Sequence, residues 1–77
     1  MRVNQENIKL NDNGMTIITD NGFTLVPYNE IRSAFAVPID GYIKVRALDI
    51  GDIVSMSDDS VAFVDTILNK IADQSGA

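Results

Sequence analysis

Tyr42, Lys44 and Arg46 are spaced two apart, so along an extended chain their side chains leave from the same side. With Arg32 opposite them on a neighbouring strand, one aromatic ring and three cations would share a sheet face. An open face of that kind can stack bases and follow phosphates, the chemistry of single-stranded nucleic-acid binding. The same residues also suit a solvated face, where long cationic stems cover the sheet and their heads pair with carboxylates. Eleven acidic residues against six basic ones, a net charge of −5, weigh against a polyanionic partner. Nucleic acid is therefore the second reading of this face.

The acidic residues offer a different chemistry. Asp49, Asp52, Asp58 and Asp59, if they converged, could hold a hard cation or work as an acid–base pair. Each already has a simpler role, the first two in the turn at residues 49–52 and the last two at a helix start. Residues 9–20 superficially follow a calcium loop, with Asn11, Asn13 and Gly14 in place and Asp20 at the end. Such a loop needs aspartate at its first position, where this chain has Lys9. A β-turn is the better reading.

The chain has no histidine and no cysteine, which removes the usual zinc and haem ligands and any disulfide. It also leaves serines 33, 55, 57, 60 and 75 with no imidazole to activate them. Gly14, Gly22, Gly41 and Gly51 sit in strand turns rather than in a phosphate loop. No cofactor, metal or catalytic residue is expected. An enzyme would have to share a carboxylate site between subunits, and that is the least supported reading.

The elements that position these residues can be read from period and turn chemistry. Residues 57–74 form the clearest: Val61, Val64, Ile67, Leu68 and Ile71 recur at the spacing of one helical face. Ser57 is the expected N-cap, Asp58 and Asp59 favour the positive end of the helix dipole, and Gly76 is the expected stop. Upstream, short apolar runs at 7–10, 15–19, 23–28, 29–37, 42–48 and 53–56 alternate with Asn-, Asp- and Gly-rich turns. Asn21-Gly22 is a strong hairpin signal, and Pro27 puts its strand at an edge. Residues 29–37 are read as a strand, although Asn29 could also cap a short helical turn. The expected architecture is α+β: an antiparallel meander of about five or six short strands, with one C-terminal amphipathic helix on one sheet face.

Alternation assigns Ile17, Phe23, Leu25, Ile31, Phe35, Ile43, Val45 and Val54 to the face beneath the helix. Ile18, Val26, Ala34, Ala36 and Leu48 then fall on the other face, and Phe63 lies off the helical stripe. One helix covers one face, so the second is left to curl on itself or to meet another chain. Seventy-seven residues make a single domain, 1–77, with residues 1–6 expected to be frayed. No apolar run approaches the ~18 residues of a membrane span, and no secretory leader is visible at the start. Lack of cysteine fits a reducing cytoplasm. Over residues 23–71, the order of Asn-rich turn, alternating strands, Gly-containing turn and amphipathic helix is similar in pattern to the very small flagellar proteins of the FlbD type. That resemblance carries no function across. The expected role is non-enzymatic: a cytoplasmic domain that forms a homo-oligomer or docks on a larger protein, with Tyr42, Lys44, Arg46 and Arg32 as its interaction face.

Overall fold

The computed structural model describes residues 1–75; Gly76, the expected helix stop, lies outside them. A 3-10 turn at Gln5–Asn7 leads into β1 (Ile8–Leu10), β2 (Gly14–Thr19) and β3 (Gly22–Pro27). A second, Tyr28–Glu30, precedes β4 (Ile31–Val37), β5 (Tyr42–Ala47) and β6 (Gly51–Met56), and α1 (Ser60–Ser75) follows. All pairings are antiparallel, in the orders β1-β2-β3 and β4-β5-β6. The expected α+β class holds, and the meander is divided into two three-stranded sheets. The division falls where Pro27 lacks an N–H and the chain winds through the turn after it. Residues 29–37 combine both alternatives, a helical turn at Asn29 and Glu30 and then a strand.

Both sheets and the helix share one core. Met15, Ile17 and Val26 come from the first sheet, Ile43, Val45 and Ile53 from the second, and Val64 and Ile67 from α1. The helix lies chiefly against β4, with the Tyr28–Glu30 turn and β5 beside it. Residues 1–3, expected to be frayed, run along the edge of β6. There the Val3 N–H donates to the Val54 carbonyl at 3.0 Å, and the Val54 N–H donates to the Met1 carbonyl at 2.8 Å. Arg2 and Val54 form a parallel bridge.

Four residues assigned to the core by alternation lie elsewhere. In β3, Val26 faces Met15 and Thr24 faces Ile17, which places Phe23 and Leu25 on the outer side with Ile18 and Thr16. In β4, the register shifts between Ile31 and Ser33. That extra residue reverses the parity of the rest of the strand, so Ala34 and Ala36 join Val45 and Ile43 on the inner side and Phe35 faces out. In β6, Ile53 and Ser55 are buried, and Val54 takes the outer position opposite Lys44. Two adjacent apolar residues left the phase of β6 open.

The helix is rotated from its expected setting. Val64 and Ile67 are buried, and Phe63 and Ile71 pack on the core, whereas Val61 and Leu68 are exposed. Its first internal bond runs from the Phe63 N–H to the Asp59 carbonyl at 3.0 Å, so the helix begins after Asp59 rather than after Ser57. Ser57 is not the cap. Its Oγ is buried without a hydrogen-bond partner among the described residues, while its N–H donates to the Gly41 carbonyl at 2.8 Å. At the other end, Gln74 Nε2 donates to the Asp12 carbonyl at 2.9 Å, and Lys70 lies 4.0 Å from the Asp12 carboxylate. The loop that resembled a calcium site is thus a turn, closed by the Asn11 N–H donating to the Gly14 carbonyl at 2.8 Å.

Tyr28, which the pattern left without a role, is one of the largest fully buried side chains. Its hydroxyl donates to the Asn11 carbonyl at 2.5 Å and ties the junction between the sheets to the β1–β2 turn. Burial raises the phenol's pKa above its ordinary value, and the Asp12 charge acts in the same direction. A raised acid binds its proton more tightly in the folded than in the unfolded chain. Stability is therefore expected to fall as pH rises from the unfolded phenol's ordinary value of about 10 toward the raised folded one. Tyr28→Phe should cost about 1–2 kcal/mol at neutral pH, because the ring still fills its space while a bonded hydroxyl is lost. Urea titrations at pH 7 and pH 10.5 check both; an alkaline loss as large in Tyr28→Phe as in the wild type would contradict the assignment.

Candidate functional site

The register of β4, β5 and β6 builds the outer face of the second sheet row by row. Val37, Tyr42 and Met56 form one row, Phe35, Lys44 and Val54 the next, and Ser33, Arg46 and Asp52 the third. The face is graded, apolar and aromatic at one end and charged at the other. Alternation in β5 puts Tyr42, Lys44 and Arg46 on this side because Ile43, Val45 and Ala47 occupy the core. Arg32 is exposed but falls in the β4 bulge, outside the paired register, so it does not extend the rows.

Asp52 sits at the charged end and organises both cations. Arg46 Nε donates to Asp52 Oδ1 at 3.1 Å, and Lys44 Nζ is 3.5 Å from Oδ2. The Arg46 hydrogen bond holds the Asp52 carboxyl below its usual pKa against an opposing effect of desolvation, and Lys44 adds to the lowering. Lys44 and Arg46 against one Asp52 leave a single surplus positive charge here, on a chain whose net charge is −5. The pair is solvent-exposed and contributes little to folding. Its consequence is geometric: both cationic heads are drawn toward one end of the face.

A groove of about 660 Å³ lies beside Tyr42 and Met56 and reaches Lys44. Tyr42, Val54 and Met56 form its floor, residues 2–4 one wall, and the end of β2 at Ile18, Thr19 and Asp20 the other. Ile18 is paired with Phe23, which is 77% exposed, and Met56 and Phe35 are exposed on the second sheet. Scattered exposed apolar residues are ordinary, whereas several that line or flank one groove mark a place for contact. Of the surplus apolar face expected from the sequence, Ile18 and Leu48 are exposed, whereas Val26 is buried and Ala34 and Ala36 pack against the core. Phe23, Leu25 and Phe35, which parity had placed inside, are exposed instead.

The four aspartates do not assemble. Asp52 is held by Arg46 and Lys44, Asp49 lines a small cleft with Thr24, Leu25 and Ile50, and Asp58 and Asp59 stand at the start of α1. Among the described residues, no group of three or more acidic side chains is placed to hold a metal ion. No helix among them is long and apolar enough to cross a membrane. Comparison with family models, with curated proteins and with solved structures finds no match to this chain.

Proposed function

We propose that this chain is a non-enzymatic interaction domain that binds another protein surface through the outer face of β4, β5 and β6. One observation carries the reading: Phe35, Met56 and Phe23 are large exposed apolar side chains, and Met56 lines one groove together with Ile18, Tyr42 and Lys44. Exposed aromatic and methionine side chains beside charged ones are common at protein contacts. Photocrosslinking groups at Phe35 and Met56 are expected to capture a protein partner, and one at Asn21, exposed in the β2–β3 turn, to capture little. Equal yields at the three positions would refute the docking face.

Single-stranded nucleic acid is the second reading, favoured by Tyr42, Lys44 and Arg46 sharing one side of β5. It is weakened by Asp52, which engages both cations. If this reading holds, oligonucleotide binding at low salt should be measurable and should strengthen in Asp52→Asn, which frees Lys44 and Arg46. No binding by either protein would remove it.

A further inference from the structure

We infer that the open edge of β3 takes up, as an added strand, an extended segment of another protein in which apolar and cationic residues alternate. The site lies at the rim of the first sheet, apart from the outer face of β4, β5 and β6. β3 forms a ladder with β2 alone, so its other edge is free. The Asn11 N–H donates to the Gly14 carbonyl, which turns the backbone groups of Gly14 toward β1. Antiparallel ladders alternate, so Met15, Ile17 and Thr19 bond toward β3, and their partners Val26, Thr24 and Gly22 bond back. Phe23 and Leu25 are left with N–H and C=O directed away from β2. Both residues are exposed, and among the described residues no other backbone meets those groups.

The other edges are blunted in ways that natural sheets use. Residues 1–3 run along β6 and pair with Val54. β4 carries its bulge at Arg32, and β1 is only three residues long. β3 has six residues, Gly22–Pro27, and none of them is charged.

A row of free backbone donors and acceptors is matched by another extended chain, and side-chain positions beside it set the choice of chain. Next to this edge, a cleft of about 130 Å³ is lined by Thr24, Leu25 and Val26 together with Glu30, Asp49 and Ile50. That is below the roughly 300–1,000 Å³ of a small-molecule site and suits a single side chain. Glu30 and Asp49 form no ion pair among the described residues, so the side chain they favour is a cation. In an added strand, residues opposite Phe23 and Leu25 lie on the outer side, against apolar neighbours. The residue between them lies on the side of Thr24 and Val26, which line the cleft. Apolar residues therefore alternate with lysine or arginine. A second copy of β3 has no such cation. It would also bring another Glu30 and Asp49 to the same edge, on a chain that already carries a net charge of −5.

The test titrates the isotope-labelled full chain with a blocked peptide of alternating valine and lysine, to about 5 mM, and follows its amide resonances. The largest shifts are expected at Phe23, Leu25, Glu30 and Asp49, with slowed hydrogen exchange at the Phe23 and Leu25 N–H groups. A peptide with glutamate in place of lysine, and one of the same composition with valines and lysines in separate blocks, should bind about tenfold more weakly or worse. Leu25→Pro removes one outward N–H and no bond to β2, so it should abolish binding. Should that variant fail to fold, N-methylation of the peptide at alternate residues removes the same ladder from the other side. Glu30→Gln with Asp49→Asn should weaken binding about threefold or more. No binding to 5 mM, equal binding of either control peptide, or shifts confined to Phe35 and Met56 would overturn the added strand. Shifts at Phe23 and Leu25 that grow with the protein's own concentration would overturn it in favour of self-pairing.

Discussion

Ile67→Asp is expected to unfold the domain, and Leu68→Asp, one residue further on, to leave it folded. Ile67 is fully buried within the cluster that both sheets share, whereas Leu68 is 46% exposed. A domain of this size has about 4–12 kcal/mol of stability in total. Truncating a buried isoleucine to alanine alone costs about 2–5 kcal/mol, and a carboxylate in its place adds the cost of burying a charge with no partner. Nothing near Ile67 can supply one: Lys70, the nearest cation along α1, lies toward Asp12 at the end of the fold. Leu68→Asp loses only part of one side chain's burial, about 1 kcal/mol or less. Far-ultraviolet circular dichroism with urea melts of both variants separates the outcomes. A folded Ile67→Asp protein, or an unfolded Leu68→Asp protein, would mean that α1 presents a different face to the sheets.

The contrast between these neighbours shows where sequence reasoning reaches and where it stops. The apolar residues of α1 span an arc of about 160°, from Phe63 through Ile67, Ile71 and Val64 to Leu68 and Val61. A core stripe needs only about 100° of that arc. Periodicity therefore predicts a helix and cannot say which part of its arc is covered. The packed part runs from Phe63 to Val64, and the remainder becomes exposed surface. In the strands the ambiguity has period two. Strict alternation in β5 makes its two faces legible, and Tyr42, Lys44 and Arg46 lie on the expected side. In β4 the bulge at Arg32 reverses the parity of Phe35, because a single inserted residue exchanges the two faces of everything beyond it. The pairing of Asp52 with Lys44 and Arg46 depends on β5–β6 register, which turn chemistry alone left open. The groove was further out of reach, since its walls come from residues 2–4 and the end of β2, both distant in sequence from β5.

Gly14→Ala is expected to be the most damaging substitution for its size, although one methyl group is all that it adds. The sequence suggests that Gly14 serves the Asn-rich turn by supplying positive φ. Instead it is the first residue of β2, paired with Pro27, and the positive-φ glycines among the described residues are Gly22, Gly41 and Gly51. Its requirement is closeness. A Cβ at Gly14 would overlap the Val26 carbonyl oxygen and come within 2.9 Å of Pro27 Cα. Both obstacles are backbone, so no rotamer change relieves them, and β2 and β3 would have to separate at their pairing end. That end carries the Asn11–Gly14 hydrogen bond and the Tyr28 N–H donating to the Asn13 carbonyl at 3.3 Å. Tyr28's hydroxyl bond to Asn11 depends on the same placement. Loss of this cluster should cost about 3 kcal/mol or more, beyond the ordinary range for a surface substitution. Gly51→Ala is the control, because it is strained by a φ of +83° but its Cβ meets nothing within 4 Å. It should cost only about 1–2 kcal/mol. Equilibrium unfolding in urea compares the two directly, and a Gly14→Ala protein as stable as Gly51→Ala would show that β2 and β3 are not held this closely. Hydrogen exchange gives the local view: early loss of protection at Met15 and Val26, with β5 and β6 still protected, would place the damage in the first sheet.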